Sequence, residues 1–482
     1  MQLSELAGTD PSQLLSDGGT TVTGLTADSR LVKPGFVFVA VAGTNADGSR
    51  FITDAIARGA IAIVVNEEAE IPAGLKVPVF LTAEPRRSLA LMAARYSGAQ
   101  PETVVAVTGT SGKTSVAEFT RQIFKSCGRQ SASLGTIGVI KPAGAVYGSL
   151  TTPDPVTLHA TLAELSREGV THLAMEASSH GLDQFRLDGV RLSAAAFTNL
   201  GRDHLDYHPT VHHYFEAKMR LFSELLKEGQ PAVINTDGQD ADDVIVIARA
   251  RGLNVLTVGT RGSTLKLLSV ERDGFAQRLS LQHGGRTYSV LLPLVGAYQV
   301  ENALVAAGLA IAVGEDAGQA LEGIAQLSGV KGRLEIIGEH NGGLAVVDYA
   351  HKPEALIAAL DACRPFVSGK LICVFGCGGD RDRGKRPRMG GIATDKADVV
   401  IITDDNPRTE TAASIRSEIL QGAPGALEIG DRREAIEAAV GLMGPGDVVL
   451  VAGKGHETGQ IVGNTVLPFS DHDVLRTALG LA

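Results

Sequence analysis

Residues 104–115 read VVAVTGTSGKTS. An apolar run rich in β-branched residues breaks at Gly109-Thr-Ser-Gly112-Lys113-Thr114, and TSVAEFTRQIFKSCG (114–128) then carries helical periodicity. A strand that ends in a glycine-rich turn and opens a helix is the building unit of a parallel α/β sheet. Backbone N–H groups of such a turn can wrap phosphate oxygens. The helix N-terminus adds partial positive charge, Lys113 a full one, and the Thr114 hydroxyl suits Mg²⁺. The common form of this turn has a glycine where Val107 stands, so the loop is a variant.

Outward from this stretch, strand and helix keep alternating. HLAMEAS (172–178), LSAAAFTN (192–199) and PAVINTD (231–237) read as buried strands. Residues 269–294 alternate with turn signals at Asp273-Gly274 and Gly284-Gly285, predicting an antiparallel meander appended to the sheet. NALVAAGLAIAVG (302–314) reads as a helix. Before residue 100, VFVAVAG (37–43), AIAIVVN (60–66) and the helical SLALMAARYSG (88–98) predict a small α/β unit. From about Lys331 a further series begins. GLAVVDYA, KLICVFGCGGD, DVVIITDDNPR and DVVLVAGKGHE each read as an apolar strand breaking into a polar loop, and four such loops at one sheet edge make a composite site. The expected organisation is three domains, at 1–100, 101–330 and 331–482.

The chain has 482 residues, 44% hydrophobic and 20% charged, without tryptophan. That is an ordinary globular composition with cores of Ala, Val, Leu and Ile. A formal charge of −10 argues against a nucleic-acid or acidic-membrane surface, although a few local Arg and Lys can still hold a small anion. The four cysteines show no disulfide or zinc spacing and suit a reducing cytoplasm. MQLSELAGTD is no secretory signal, and no apolar run nears a membrane span.

Several residues stand where chemistry is expected. Glu176 closes a strand, the place for a Mg²⁺-binding carboxylate, with Ser178, Gln184 and Arg186 beyond it to grip a polar substrate. TNLGRDHLDYH (198–208) holds His204 and His208 four apart, as zinc ligands on a helix would be. The neighbouring phosphate loop and Glu176 favour instead a hard ion touched by His204. Lys218, in the amphipathic YFEAKMRLF (214–222), reads by itself as a solvated lysine. The last four loops hold Asp348, His351, Arg381, Lys385, Arg408, Lys454 and Glu457. Mixed signs suit a zwitterion, since arginine pairs bidentately with carboxylate and an acid such as Glu457 can hold an ammonium. Pro407 stiffens the turn that carries Arg408.

TGTSGKTS, MEASSHGL, TNLGRDHLDYH, YFEAKMRLF, KGRLE, DYAHKPE, GDRDRGKR, DDNPR and GKGHE, in this order, resemble the motifs of the Mur ligases over essentially the whole chain. The resemblance implies three domains: a small N-terminal α/β domain for a uridine nucleotide, a central P-loop-type ATPase and a C-terminal Rossmann-like domain for an amino acid. It implies ATP-dependent amide-bond formation through an acyl phosphate. The likeness is greatest to members that add meso-diaminopimelate to UDP-MurNAc-L-Ala-D-Glu, a cytoplasmic step of peptidoglycan precursor synthesis. L-lysine as the amino acid, or a folylpolyglutamate synthase-type ligase, are the alternatives. The implied ligands are ATP, Mg²⁺ and these small substrates, with neither nucleic acid nor membrane as partner, and a monomer is expected.

Carried over by position, Gly109, Thr110, Ser111, Gly112, Lys113, Thr114, Ser115, Asn302 and Arg333 match the ATP site. Thr114, Glu176, His204 and a carbamylated Lys218 match the metal site. Lys113, Glu176, His204, Lys218, Arg333, Asp348 and His351 match the catalytic set. Ala27, where the family often has a bulkier residue, Ser29, Thr44, Asn45, Ala46, Thr151, Thr152, Ser178, Gln184 and Arg186 match the UDP-substrate site. Arg381, Asp405, Asn406, Pro407, Arg408, Gly453 and Glu457 match the diaminopimelate site, where Arg408 would read the distal carboxylate that lysine lacks.

Overall fold

A computed structural model describes residues 1–8, 20–43, 47–146 and 150–481. The contacts expected of Thr44, Asn45 and Ala46 lie outside the described residues. The chain forms two compact units. One holds Met1–Lys113, Cys127–Thr257 and Leu309–Glu315; the other holds Thr114–Ser126, Val258–Gly308 and Asp316–Ala482.

The first unit opens with a parallel sheet in sequential order, β1 (Gly24–Thr26), β2 (Phe36–Val39), β3 (Ala60–Asn66) and β4 (Val79–Thr82). Alternation sends Val37, Val39, Ala62 and Val64 to one apolar layer and Phe38, Ile63 and Val65 to another, so both faces are buried. The helix Pro85–Ser97 starts with Pro85 in its first turn behind the Glu84 cap and stops at Gly98. It packs on the helix Pro155–Arg167.

Eight strands follow: β5 (Thr103–Thr108), β6 (Ser131–Gly135), β7 (Gly138–Lys141), β8 (Gly144–Val146), β9 (His172–Glu176), β10 (Ala194–Phe197), β11 (Pro231–Asn235) and β12 (Asn254–Gly259). Their order is β12-β11-β10-β5-β9-β6-β7-β8. From β11 to β6 the pairing is parallel, and β7 and β8 fold back antiparallel. The mostly parallel expectation holds. Strand β6, SASLG, escapes sequence reading because its residues are too small and polar to look like a buried strand. The parallel arrangement brings the C-terminal ends of β5, β9 and β10 to one edge, so Gly109, Glu176 and Thr198 arrive together.

In the second unit the meander is β13 (Leu265–Asp273), β14 (Ala276–His283) and β15 (Arg286–Leu292), turning at the expected glycines. Its first strand pairs in parallel with Val258 and Gly259. A six-stranded sheet follows, of β16 (Glu335–His340), β17 (Gly343–Asp348), β18 (Leu371–Phe375), β19 (Val399–Ile402), β20 (Leu427–Glu428) and β21 (Val448–Ala452), in the order β16-β17-β21-β18-β19-β20. All pairs are parallel except β16–β17. The four strands read from sequence are thus adjacent and co-directional, and their polar loops share an edge. Strand β16 has a register shift between Ile336 and Gly338 that breaks its alternation, which hides it from pattern reading. A hairpin of β22 (Gly459–Val462) and β23 (Thr465–Pro468) completes the unit.

Cys363, Cys373 and Cys377 are buried, and burial pushes the Cys373 and Cys377 thiols up to about 12. Among the described residues no helix is long and apolar enough to cross a membrane.

Candidate active site

The turn after β5 is held by the loop after β10. Thr110 N donates to Asn199 O at 2.8 Å, Ser111 N to Asn199 Oδ1 at 3.0 Å, and Thr198 Oγ1 to Ser111 O at 2.7 Å. Thr110 Oγ1 accepts from Gly201 N at 2.8 Å and from the Tyr214 hydroxyl at 3.2 Å. Gly109 sits at φ 147°, and a Cβ there would lie 1.9 Å from Thr198 Oγ1. Only glycine closes this turn. Lys113 folds over the loop and donates to Gly109 O and Thr110 O, both at 2.9 Å. Thr108 Oγ1, buried at the base of the loop, has no partner among the described residues. Thr114 and Ser115 begin the next helix, Lys113–Ser126, and are buried.

Lys218 overturns its reading as a solvated lysine: it is 1% exposed and donates to Gly109 O at 2.7 Å. The helix Val211–Arg220 turns this residue inward beneath the loop, and the amine lies 4.2 Å from the Tyr214 ring centroid. Burial first, then repulsion from Lys113, holds its pKa well below the usual lysine range. A neutral amine with a free lone pair is the form that can react with CO₂.

Glu176 is 1% exposed, and among the described residues its carboxylate meets two donors, both on Thr136: the backbone N at 2.7 Å and Oγ1 at 3.3 Å. A buried carboxylate with neutral donors alone is a place for a cation. The oxygen donors Glu176 and Thr114 are hard ligands and fit Mg²⁺. The helical His204–His208 zinc pair does not form. His204 takes φ 54° in a turn, its carbonyl accepts from His208 N at 2.8 Å, and the helix starts only at Val211. His208 turns inward to His213, Nδ1 to Nδ1 at 3.0 Å, while the His204 side chain is half exposed beside Asp203.

The polar residues expected at the substrate site do assemble. Thr152 Oγ1 accepts from Ser178 N and Oγ at 3.1 and 3.0 Å, and Arg186 Nη1 donates to Thr152 O at 2.6 Å. Gln184 Oε1 accepts from Arg186 Nη2 at 2.7 Å, and Thr151 meets Thr136 at 3.0 Å. Ser29 is buried in a single turn capped by Asp28, while Ala27 is exposed. A cavity of about 490 Å³ lies nearby in sequence terms, lined by Val41, Asp47, Asn66, Glu84, Arg86, Asp183 and Phe185 among others. Sequence reading missed Arg86 and Phe185. Their signals, a basic residue in a helix N-terminal turn and an aromatic residue at φ 59°, become meaningful only in the fold.

In the second unit the four loops enclose a cavity of about 640 Å³. Arg381, Asp405, Asn406, Arg408, Gly453 and Glu457 all line it; Pro407 does not. Lys385, named among the polar residues of the four loops, also lines it, as do Tyr349 and Arg388, which sequence reading did not single out. Arg408 sits at φ 51°, its N donating to Ile461 O at 3.0 Å and its O accepting from Gly463 N at 2.8 Å. The hairpin β22–β23 therefore braces it beyond what Pro407 does. Its guanidinium donates to Gly379 O at 2.9 Å. Gly453, at φ 116°, leaves room for Asp405, whose Oδ2 would stand 2.7 Å from a Cβ there.

Beside this cavity, Asp348 accepts from Leu334 N at 2.7 Å and Ala350 N at 2.8 Å. Burial pushes its carboxyl up, against the pull of Arg333 and those two donors. The Arg333 guanidinium lies 5.1 Å from the Tyr349 ring centroid, with a buried Nε that has no hydrogen-bond partner among the described residues. His351 donates from Nδ1 to Tyr349 O at 2.9 Å, and burial lowers its pKa, leaving the ring neutral. Asn302 is buried and donates to Gln299 Oε1 at 2.9 Å.

Three family descriptions match consecutive parts of the chain: the Mur ligase family catalytic domain over 21–104, the Mur ligase middle domain over 107–310, and the Mur ligase glutamate ligase domain over 332–455. The UDP-N-acetylmuramoyl-L-alanyl-D-glutamate–2,6-diaminopimelate ligase of Bradyrhizobium diazoefficiens is 57% identical, covering 99% of each chain. The ligase of that name from Agrobacterium fabrum is 58% identical, over 97% of this chain and 95% of its own. A solved structure of a ligase of the same name is 34% identical with a TM-score of 0.75, covering 100% of this chain and 99% of the other. MurF ligase from Thermotoga maritima in complex with ADP is 22% identical, TM-score 0.60, covering 95% and 97%, and shares the fold.

Proposed function

The chain belongs to the Mur ligase family, and from that premise we infer that it joins meso-diaminopimelate to the γ-carboxylate of the D-glutamate in UDP-MurNAc-L-Ala-D-Glu. ATP is converted to ADP and phosphate in this step of peptidoglycan precursor synthesis. The single observation that carries the choice of amino acid is the mixed-charge lining of the cavity, which brings the guanidiniums of Arg381, Arg388 and Arg408 together with carboxylates that include Asp405 and Glu457.

A carboxylate is a poor electrophile until it carries a leaving group. Transfer of the γ-phosphoryl group between two anions calls for positioning and positive charge. The loop Gly109–Lys113 would cradle the phosphates through its backbone N–H groups, with Lys113 swinging from its carbonyl partners to the transferring oxygens. Thr114, Glu176, His204 and Lys218 as its carbamate would hold Mg²⁺, which when bound neutralises the phosphate and carboxylate charge. In the carbamate, the neutral Lys218 amine has added to the carbon of CO₂ and released a proton. Thr152, Ser178, Gln184 and Arg186 would orient the dipeptide, while Ser29 and the Thr44–Ala46 segment would meet the uridine nucleotide. Asn302, Arg333, Asp348 and His351 would also serve the nucleotide. The amine of the incoming amino acid then attacks the acyl phosphate, and collapse of the tetrahedral intermediate expels phosphate.

The other roles rest on the same reading. Arg381, Asp405, Asn406, Arg408, Gly453 and Glu457 would form the diaminopimelate site, with Pro407 in the turn behind them and Arg408 on the distal carboxylate. The family segments at 21–104, 107–310 and 332–455 support domain limits near 100 and 330. Nucleotide substrates place the reaction in the cytoplasm, and a monomer suffices for it. The test is phosphate release from the purified protein with ATP, Mg²⁺ and UDP-MurNAc-L-Ala-D-Glu. Release is expected with meso-diaminopimelate and not with L-lysine. Release with lysine alone would keep the ligase and reverse the choice of amino acid.

A further inference from the structure

Lys454, in the turn after β21, has a side chain with no exposure to solvent and touches no substrate in the reaction described above. Its ammonium donates to Asn406 Oδ1 at 3.0 Å and to Glu457 Oε2 at 3.1 Å. Asn406 Nδ2 donates to the same Glu457 oxygen at 2.9 Å, and Ile461 N donates to Asn406 Oδ1 at 2.9 Å. The two ends of an asparagine amide are alike in shape and opposite in polarity. Two donors on Oδ1 permit one orientation of Asn406. The same set gives Glu457 Oε2 two donors and leaves Oε1 for a ligand.

The geometry points to Lys454 as a positioning residue that sets affinity for the incoming amino acid, by locking Asn406 and Glu457 into one rigid unit that receives its ammonium. This rests on the cavity being the amino-acid site. Being fully covered, the lysine acts through its two neighbours and not on the substrate itself. Both of its side-chain hydrogen bonds end on cavity residues and neither on the backbone. The turn that carries it is fixed by other means: Gly453 N donates to Asp348 O at 3.1 Å, Glu457 N to Lys454 O at 3.0 Å, and Arg432 Nη2 to Ala452 O at 3.0 Å. Removing the ammonium therefore frees the orientation of Asn406 and Glu457 and leaves the loop in place. A buried cation is tolerated where charged and polar partners meet it, and the Asn406–Glu457 pair supplies both.

The test is steady-state kinetics of full-length Lys454→Met and Lys454→Gln, with each of the three substrates varied in turn. In Lys454→Met the KM for meso-diaminopimelate rises about tenfold or more, the loss expected when a charge-assisted hydrogen-bonded unit loosens, while kcat stays within about threefold. The KM values for ATP and the UDP-substrate stay within about twofold, and Lys454→Gln, which keeps a neutral donor, shows a smaller rise. A folded Lys454→Met with an unmoved KM for the diamino acid overturns the assignment, and so does a common rise in all three KM values. Should Lys454→Met fail to fold, the selective rise must appear in Lys454→Gln or the assignment falls. Wild-type protein that turns over no diamino acid defeats the functional reading and this inference with it. Wild-type turnover with an unmoved KM in the variants defeats the inference alone.

Discussion

Lys113 and Lys218 donate to the same acceptor, the carbonyl oxygen of Gly109, at 2.9 and 2.7 Å. Two ammonium groups sharing one oxygen repel each other, and only one of these amines has left solvent almost completely. The burial of Lys218 and its closeness to Lys113 both favour its neutral form. On the proposed function, Lys113 would meet phosphate and Lys218 would react with CO₂.

Replacement of Lys218 by arginine or methionine is therefore expected to lower kcat by about 10²-fold or more, the usual loss when a charge-positioning group leaves a phosphoryl-transfer site. Protein equilibrated with ¹³C-bicarbonate should show a carbamate resonance that Lys218→Arg lacks. Stability should move differently from activity. A lysine whose folded pKa lies below its unfolded value weakens the fold at every pH below the unfolded value, because the unfolded chain binds the proton more tightly. Lys218→Met should consequently unfold at a denaturant midpoint no lower than that of unmodified wild type at neutral pH. A large loss of stability in the variant would contradict the neutral-amine account.

Gly109→Ala tests the closure of the phosphate loop. The new Cβ would collide with Thr198 Oγ1 on a backbone at φ 147°, which costs about 1–3 kcal/mol before any repacking. Nucleotide binding, read by titration calorimetry with a non-hydrolysable ATP analogue, should be lost while the second unit's melting is little changed. Retained binding would show that the loop has freedom the geometry denies it.

The sequence made the strand–loop–helix unit and the four C-terminal loops legible, because a buried parallel strand is a continuous apolar run and its polar residues cluster where it ends. Two kinds of feature were not legible. Strand β6 lacks large apolar residues, and β16 is interrupted by a bulge, so neither shows a period. Lys218 looked solvated because a helical face cannot be assigned without knowing what packs on it; only the family resemblance marked it. The brace on Arg408 by Ile461 and Gly463 joins residues over fifty positions apart, a link that local reading of DDNPR cannot supply.

His159 gives the fold a defined acid sensitivity. It is 1% exposed, its Nε2 donates to Asp188 O at 3.0 Å, and its buried Nδ1 has no partner among the described residues. Protonation would place an unsatisfied N–H in the interior, and burial accordingly lowers the pKa below 6.5. The unfolded chain then binds the proton more readily. Stability is full above about pH 6.5 and falls as pH drops toward the folded-state value. Denaturant midpoints measured from pH 7.5 to 5 should decline more steeply in wild type than in His159→Gln, and equal slopes would rule this residue out as the cause.

On the proposed function, Arg408 would carry the selectivity for the diamino acid. Its backbone is pinned on both sides by β22–β23, its guanidinium faces the cavity from a left-handed residue, and Gly379 O is the carbonyl that holds it at 2.9 Å. A carboxylate arriving there gains a held partner, whereas the bare methylene end of lysine leaves the guanidinium desolvated and unpaired. Removing one partner of such a pair costs roughly 3–5 kcal/mol, so Arg408→Ala should lower kcat/KM for meso-diaminopimelate by about 10²-fold or more. The same variant should leave kcat/KM for L-lysine undiminished or raised, because lysine never used the contact and no longer strands an unpaired guanidinium. The ratio of the two efficiencies thus collapses from the diaminopimelate side. If both efficiencies fall together, Arg408 holds the loop and does not read the carboxylate; if neither falls, the distal end of the amino acid lies elsewhere in the 640 Å³ cavity.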